Sequence, residues 1–171
     1  MPDIFLVILV LTSAVTDFAK KKIYNYQTYP AMIIGLFIGF LVGGLKGLLL
    51  NAAGLGTGII LLLPFFLVRG LGAGDVKLLG AIGALKGAEF VIWTMFYTGL
   101  IGGAVAMAVI IWRGTFYQTW LNIFILIRHP LGYLQSPPSS KTETDEQALQ
   151  YIPYGIIISA GCLLTLVSLQ L

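Results

Sequence analysis

Six apolar stretches, most of them without charged residues, dominate the sequence and leave only one long connection between neighbours. They cover approximately residues 4–18, 29–42, 48–68, 76–85, 90–112 and 152–171. Roughly 20 apolar residues in a helix cross the hydrocarbon core of a bilayer. Only 10% of the residues are charged, against about a quarter in soluble domains, which is too few to cover a water-exposed surface. The pattern predicts an all-α, polytopic transmembrane bundle of about six spans.

The fourth stretch, residues 76–85, is too short to span a membrane unaided and is rich in glycine and alanine. We expect it to gain length from the glycine-rich turn at 70–74 or to lie among other helices. Residues 1–13 have no basic start, which predicts a retained first span rather than a cleaved signal peptide. The length predicts one transmembrane domain over residues 1–171, with a cytoplasmic loop at 113–151 inside it.

The long connection has two parts of different composition. Residues 116–127 are apolar and aromatic, which favours an interfacial helix at the headgroup level, with a half-buried hairpin as the alternative. Residues 136–150 contain adjacent prolines, adjacent serines and three acids, a composition typical of a solvated loop.

The basic residues predict the orientation, because cytoplasmic loops carry an excess of lysine and arginine. With the N-terminus outside, eight basic residues fall on the cytoplasmic side: Lys20, Lys21, Lys22, Arg69, Lys77, Arg113, Arg128 and Lys141. Only Lys46 and Lys86 fall outside. Both chain ends are therefore predicted outside, with Asp17 and Asp75 at the same cytoplasmic edge.

Several kinds of site have no support in the composition. No basic run alternates with aromatic residues, so no nucleic-acid partner is predicted. Cys162 is the only cysteine, which excludes an internal disulfide and a multi-cysteine metal cluster within one chain. His129 is the only histidine, and the acids around it lack a metal-ligand spacing. We therefore predict no metal and no cofactor.

Asp17 ends the first apolar stretch, where an acid needs an explanation. A carboxylate costs roughly 2.5–3.5 kcal/mol at the centre of a bilayer and less towards its interface. The negative end of the helix dipole opposes it by about another 0.3–1 kcal/mol. Lys20 and Lys21 could neutralise the charge, Lys21 lying one helical turn on.

Asp75 follows a glycine-rich turn and precedes an apolar helix, which is the usual place of an N-cap. Capping does not explain Gly72 and Gly74, which permit unusual backbone angles and leave room for a peptide beside the carboxylate. Two carboxylates that meet share a proton, so one can activate water while the other polarises a peptide carbonyl. Asp17 and Asp75 are therefore predicted to be a catalytic pair.

Three segments carry a resemblance to one family. Residues 72–79 resemble the GxGDxK signature of the type IV prepilin peptidases, which belong to the GxGD membrane aspartyl proteases. Residues 17–25 resemble that family's first aspartate motif, which ends in Ile-Pro-Asn, although Tyr24 stands where the family usually has proline. Residues 151–155 open a stretch that resembles the family's last helix. The likeness covers nearly the whole chain.

The resemblance implies that Asp17 and Asp75 are the catalytic dyad of a prepilin leader peptidase. Its substrates would be prepilin or pseudopilin precursors, cut between a short basic leader and an apolar helix. The enzyme would lie in the lipid bilayer of the prokaryotic cytoplasmic (inner) membrane, with its active site facing the cytoplasm. Bifunctional relatives carry an insert with paired CxxC motifs, which this chain lacks, so we expect no N-methyltransferase activity. Short forms linked to tight-adherence pili fit this pattern, and archaeal preflagellin peptidases share both motifs.

Gly72, Gly74, Lys77 and Asn25 are predicted to contact the substrate. Lys77 could instead anchor its helix at the cytoplasmic interface, and Asn25 could instead order the turn after Asp17. Two other functions stay open, namely a small transporter or channel whose aspartates bind a cation or relay protons, and a non-catalytic subunit of a secretion machine. A channel usually places its acids deeper within its spans than they lie here.

Overall fold

The computed structural model describes residues 2–67, 71–113 and 154–169, and the regular structure within these ranges is entirely α-helical. Five helices follow in order: α1 (Pro2–Lys20), α2 (Asn25–Leu67), α3 (Ala73–Lys86), α4 (Ala88–Arg113) and α5 (Tyr154–Ser168). The all-α prediction is confirmed for these residues. The predicted interfacial helix and polar loop lie outside them.

Helix α2 consists of two helices joined at Gly44. Gly44 has φ 58° and ψ −142°, a positive φ that glycine adopts without steric penalty. The side-chain amide of Asn51 donates to the carbonyl oxygen of Gly35 at 2.8 Å, although these residues are 16 positions apart. A straight helix would separate them by about 24 Å. The chain therefore turns back at Gly44, which confirms the break predicted there between the second and third apolar stretches.

Helix α3 packs against both halves of α2 at very short range. A Cβ atom placed on Gly35 would lie 2.5 Å from the carbonyl carbon of Ala84, and one on Gly58 would lie 2.5 Å from the carbonyl oxygen of Leu79. Small residues permit this approach of one helix backbone to another. Ten residues of α3 between 75 and 85 are buried. The prediction that this short stretch lies among other helices is confirmed.

Helix α1 runs antiparallel to both α3 and α5. Lys86, at the end of α3, forms an ion pair with Asp3, at the start of α1. The hydroxyl of Ser159 in α5, which bonds the carbonyl oxygen of Gly155 at 2.6 Å, also lies 3.1 Å from the carbonyl oxygen of Val10 in α1. The C-terminal end of α1 therefore lies beside the N-terminal ends of α3 and α5, and the candidate site forms at this junction.

Two helical segments among the described residues are long and apolar enough to cross a membrane, Asn25–Leu67 and Ala88–Val109. Helix α5 is apolar as well, but it has only 15 residues. The helix lengths therefore do not confirm the predicted number of about six spans. Many large apolar side chains point outward from the described helices, among them Phe18, Val42 and Ile111.

The chain divides into two compact units, one formed by Met1–Ile101 with Pro153–Leu171 and the other by Gly102–Ile152. The candidate site belongs to the first unit. Of the second unit, the structure describes the final part of α4, residues 102–113.

Candidate active site

Asp17 lies in the last turn of α1 and is 7% exposed. Its Oδ2 atom accepts the backbone N–H of Ile156 at 3.3 Å, and the N–H of Gly155 also bonds the carboxylate. The first turn of a helix has N–H groups without a partner inside the helix and carries the positive end of its dipole. The N-terminus of α5 therefore offsets the unfavourable dipole that α1 presents to the same carboxylate.

Gly155 permits this approach of Asp17 to α5. A Cβ atom on Gly155 would lie 2.7 Å from Oδ2 and 2.9 Å from Cγ of Asp17, so no larger residue fits without displacing the carboxylate. Residue 155 entered the predictions only through a family resemblance, and its contact with Asp17 was not predicted. The available signal was a glycine immediately after the start of a helix that is otherwise rich in large apolar residues.

Asp75 is the third residue of α3 and is 8% exposed. The backbone N–H of Gly72 donates to its Oδ2 atom at 3.0 Å. Gly72 is the N-cap residue, with an extended backbone at φ −77° and ψ 152°. The prediction that Asp75 itself is the N-cap was therefore wrong. Its carboxylate reaches back to the cap residue, as the third helical residue does in a capping box.

The two glycines before Asp75 differ in their surroundings. A Cβ atom on Gly72 would lie 3.3 Å from Asp75 Oδ2, whereas one on Gly74 would lie 2.9 Å from Cβ of Ile23. Neither glycine has a positive φ, so the unusual backbone angles that glycine permits are not used at these two positions. Gly74 instead permits close packing of α3 on the turn after α1. Gly72 is exposed, and the proposed room for a peptide beside it stays a prediction.

Ile23 lies between α3, which carries Asp75, and α5, which bonds Asp17. Its Cβ atom blocks the space beside Gly74 in α3, and its Cδ1 atom lies 3.0 Å from the position of a Cβ atom on Gly155 in α5. Ile23 is also the isoleucine of the first aspartate motif. The turn between α1 and α2 therefore packs against the start of α3 and the start of α5.

Lys77 and Asn25, both predicted to contact the substrate, contact each other. The ammonium of Lys77 donates to Oδ1 of Asn25 at 2.9 Å, and it lies 5.1 Å from the centre of the Tyr29 ring. The pair joins the N-terminal ends of α3 and α2. This arrangement gives both residues a structural role, and their contact with a substrate stays a prediction.

Asp75 lies before the apolar part of α3, and its pKa is raised to about 6. Burial is the main cause, the N–H of Gly72 acts in the opposite direction, and the charge of Asp17 raises the pKa further. The two carboxyl groups are thus near enough to interact. A carboxyl group with such a pKa can hold a proton close to neutral pH, which a general acid must do. Among the described residues, no group of three or more His, Cys, Asp or Glu side chains could hold a metal ion.

One comparison with known proteins gives a match. A family model described as the type IV leader peptidase family covers residues 4–107, which include both aspartates and end before α5. No curated protein and no solved structure matches the chain. The matched residues make up more than half of the chain, and with the two apolar helices they identify a membrane protein of the protease class. The chain belongs to the type IV leader peptidase family.

Proposed function

We propose that the chain is a membrane aspartyl endopeptidase that removes the short basic leader from type IV prepilin-like precursors at the cytoplasmic membrane face. The observation that carries this proposal is the buried, interacting pair Asp17 and Asp75, each held by backbone N–H groups. Family membership supports peptidase activity and a protein substrate in general. The prepilin or pseudopilin substrate rests on the motif resemblance, and the outward-facing apolar side chains favour a lipid environment.

The hydrogen bonds favour different roles for the two aspartates. Asp17 accepts N–H groups from Gly155 and Ile156 at a helix N-terminus, which stabilise an ionised carboxylate. Asp75 accepts one backbone N–H, from Gly72, so burial, which favours the protonated form of both carboxyl groups, is opposed by fewer donors there. In the proposed mechanism Asp17 is therefore the general base, and Asp75 is the general acid that begins the reaction protonated.

In the first step, Asp17 takes a proton from a water molecule as the water oxygen bonds to the peptide carbonyl carbon. Asp75 donates a hydrogen bond to the carbonyl oxygen, where negative charge develops. In the second step, the C–N bond of the resulting tetrahedral intermediate breaks and the nitrogen takes the proton held by Asp17. The products are a carboxylic acid on the leader and a free amine on the mature protein.

The position of the pair agrees with a cut at the junction of a basic leader and an apolar helix. Asp17 and Asp75 lie at the ends of their helices, and Lys20, Lys21 and Lys22 follow Asp17 directly. The excess of basic residues in cytoplasmic loops favours a cytoplasmic location for this end. The absence of paired CxxC motifs from the sequence supports a peptidase without N-methyltransferase activity.

Co-expression of a prepilin with variants of the chain tests the proposal. Asp17→Asn and Asp75→Asn are each expected to slow leader removal at least about 100-fold, because each removes a general acid or base. Asp3→Asn is the matched control, since Asp3 pairs with Lys86 at the opposite end of α1. Processing at the wild-type rate by either active-site variant would contradict the proposal. Proton or cation flux in liposomes without any processing would favour the transporter alternative.

A further inference from the structure

We propose that the first turn of α5, residues 154–156, is a third part of the active site and that Gly155 is the positioning residue for Asp17. The catalytic significance of Gly155 rests on the proposed function, whereas its contact with Asp17 does not. Helix α5 lies outside residues 4–107, the part of the chain that the family model matches. The role of α5 therefore has to be argued from the structure.

This turn lies beside both aspartates. The N–H groups of Gly155 and Ile156 bond the Asp17 carboxylate, and Tyr154 lies near enough to Asp75 for an electrostatic interaction. Hydrogen bonds to an ionised acceptor are roughly twice as strong as those between neutral groups. The same three residues are thus in a position to set the geometry of the pair.

The position of α5 against α1 is fixed farther along the same face. Gly155 and Ser159 are four residues apart, so they lie one above the other on α5. Gly155 contacts Asp17, and the Ser159 hydroxyl, shared with the carbonyl oxygen of Gly155 at 2.6 Å, lies 3.1 Å from the carbonyl oxygen of Val10, two turns before Asp17 in α1. Because both contacts lie along one seam, α5 cannot slide along α1 without displacing its N-terminus from Asp17.

Close packing leaves no room for a side chain at position 155. A methyl group there would come within 2.7 Å of Asp17 Oδ2 and 3.0 Å of Ile23 Cδ1, so it must displace the carboxylate or the turn behind it. A displacement of about 1 Å in a catalytic group can lower the rate about 100-fold. Gly155→Ala is therefore expected to reduce kcat about 100-fold while KM changes little, because the substrate does not have to contact Gly155 itself.

The first test measures stability and does not depend on activity. Thermal midpoints in detergent are compared for the wild-type chain, Gly155→Ala, Asp17→Ala and the double variant. Gly155→Ala is expected to lower the midpoint by about 5 °C in the wild-type background. The decrease should be clearly smaller in the Asp17→Ala background, where the carboxylate no longer occupies the space and only the flexible end of Ile23 is still close. Equal decreases in both backgrounds would overturn the proposed contact, whether or not the chain is a peptidase.

The second test measures leader removal, with Gly161→Ala as the matched control. Gly161 also lies in α5, and a methyl group there would collide with Thr98, remote from the aspartates. Gly161→Ala should lower the thermal midpoint but leave kcat per folded molecule within about twofold of the wild type, whereas Gly155→Ala should lower kcat about 100-fold. Parallel losses of kcat in both variants, or none in Gly155→Ala, would overturn the positioning role.

Ile156→Pro provides a second variant if Gly155→Ala does not fold. It removes the N–H that bonds Asp17 without adding a side chain at residue 155, and the first turn of a helix accepts proline. The expected decrease in kcat is at least about tenfold, and a wild-type kcat would overturn the proposal. If the wild-type chain itself cleaves no prepilin, the proposed function fails, while the thermal comparison still decides whether Gly155 positions Asp17.

Discussion

Asp17 and Asp75 are buried to almost the same extent, at 7% and 8% exposure, but their hydrogen-bond donors lie at very different distances along the chain. Gly72, which donates to Asp75, is three residues away. Ile156, which donates to Asp17, is 139 residues away. Asp75 therefore belongs to a local unit of turn and helix, whereas the environment of Asp17 forms only when α1 and α5 pack together.

This difference underlies the different roles proposed for the two carboxylates. The local unit gives Asp75 one backbone donor, and burial together with the charge of Asp17 favours its protonated form. The packing of α1 on α5 gives Asp17 two backbone donors at the positive end of a second helix, which oppose the effect of its burial and favour the ionised form. The contrast can be tested at three places: the proton on Asp75, the side chain of Ile23, which contacts both α3 and α5, and the two glycines that precede Asp75.

The largest expected effect concerns the proton assigned to Asp75. Burial raises the pKa of this carboxyl to about 6, well above the usual value of about 3.9. A general acid loses its proton as the pH rises through its pKa, so kcat/KM should fall about tenfold per pH unit on the alkaline side of that value. The measurement is the rate of leader removal against pH, with the thermal midpoint recorded at each pH to exclude unfolding. A rate that stays constant from about pH 6 to pH 9 would contradict the assignment of the proton to Asp75.

A smaller effect is expected at Ile23, which contacts both α3, the helix of Asp75, and α5, the helix that bonds Asp17. Ile23→Ala should lower the free energy of unfolding by about 2 kcal/mol, because it removes a partly buried side chain that packs beside Gly74 and Gly155. Leader removal should slow about tenfold, since a small displacement of catalytic groups is costly. Ile33→Ala is the control, because Ile33 is 67% exposed and should change stability by less than about 0.5 kcal/mol. Equal effects of the two substitutions on the rate would show that the contacts of Ile23 with α3 and α5 do not matter for leader removal.

The smallest effects distinguish the two glycines of the local unit. Gly74→Ala should cost about 1–3 kcal/mol of stability, because its methyl group would meet the Cβ atom of Ile23 at 2.9 Å. Gly72→Ala should cost less than about 1 kcal/mol, since Gly72 has an ordinary backbone conformation and alanine is only a poorer N-cap. Denaturation in mixed micelles measures both values. A larger loss for Gly72→Ala would indicate that the open space beside Asp75 matters more than the packing on Ile23.

The features that the sequence predicted correctly depend on local patterns. The break at Gly44 and the burial of residues 75–85 among other helices follow from a glycine pair and from a stretch too short to span. Asp75 was predicted correctly at a helix start, but as the N-cap, whereas it is the third residue of α3. The error arose because a helix can begin at several neighbouring positions of a glycine-rich segment. Hydrogen bonds determine the residue at which a helix begins, and composition indicates that residue only approximately.

The features that sequence reasoning missed depend on contacts between distant parts of the chain. The donors to Asp17 come from α5, and no spacing within residues 17–25 indicates them. The bond between Lys77 and Asn25 joins residues 52 positions apart, so each was considered separately as a substrate contact. Such pairings follow from how the helices pack, which a single sequence does not specify.

The backbone contacts of α3 with α2 make Asp75 the fixed reference point of the site. Gly35 and Gly58 bring both halves of α2 within van der Waals distance of the α3 main chain. A shift of α3 along α2 would move its main chain away from these glycines and towards α2 residues that carry side chains. In the proposed enzyme, the geometry of the pair would then depend on the seating of α1 on α5, and sequence changes at that interface, remote from both aspartates, are expected to alter the rate.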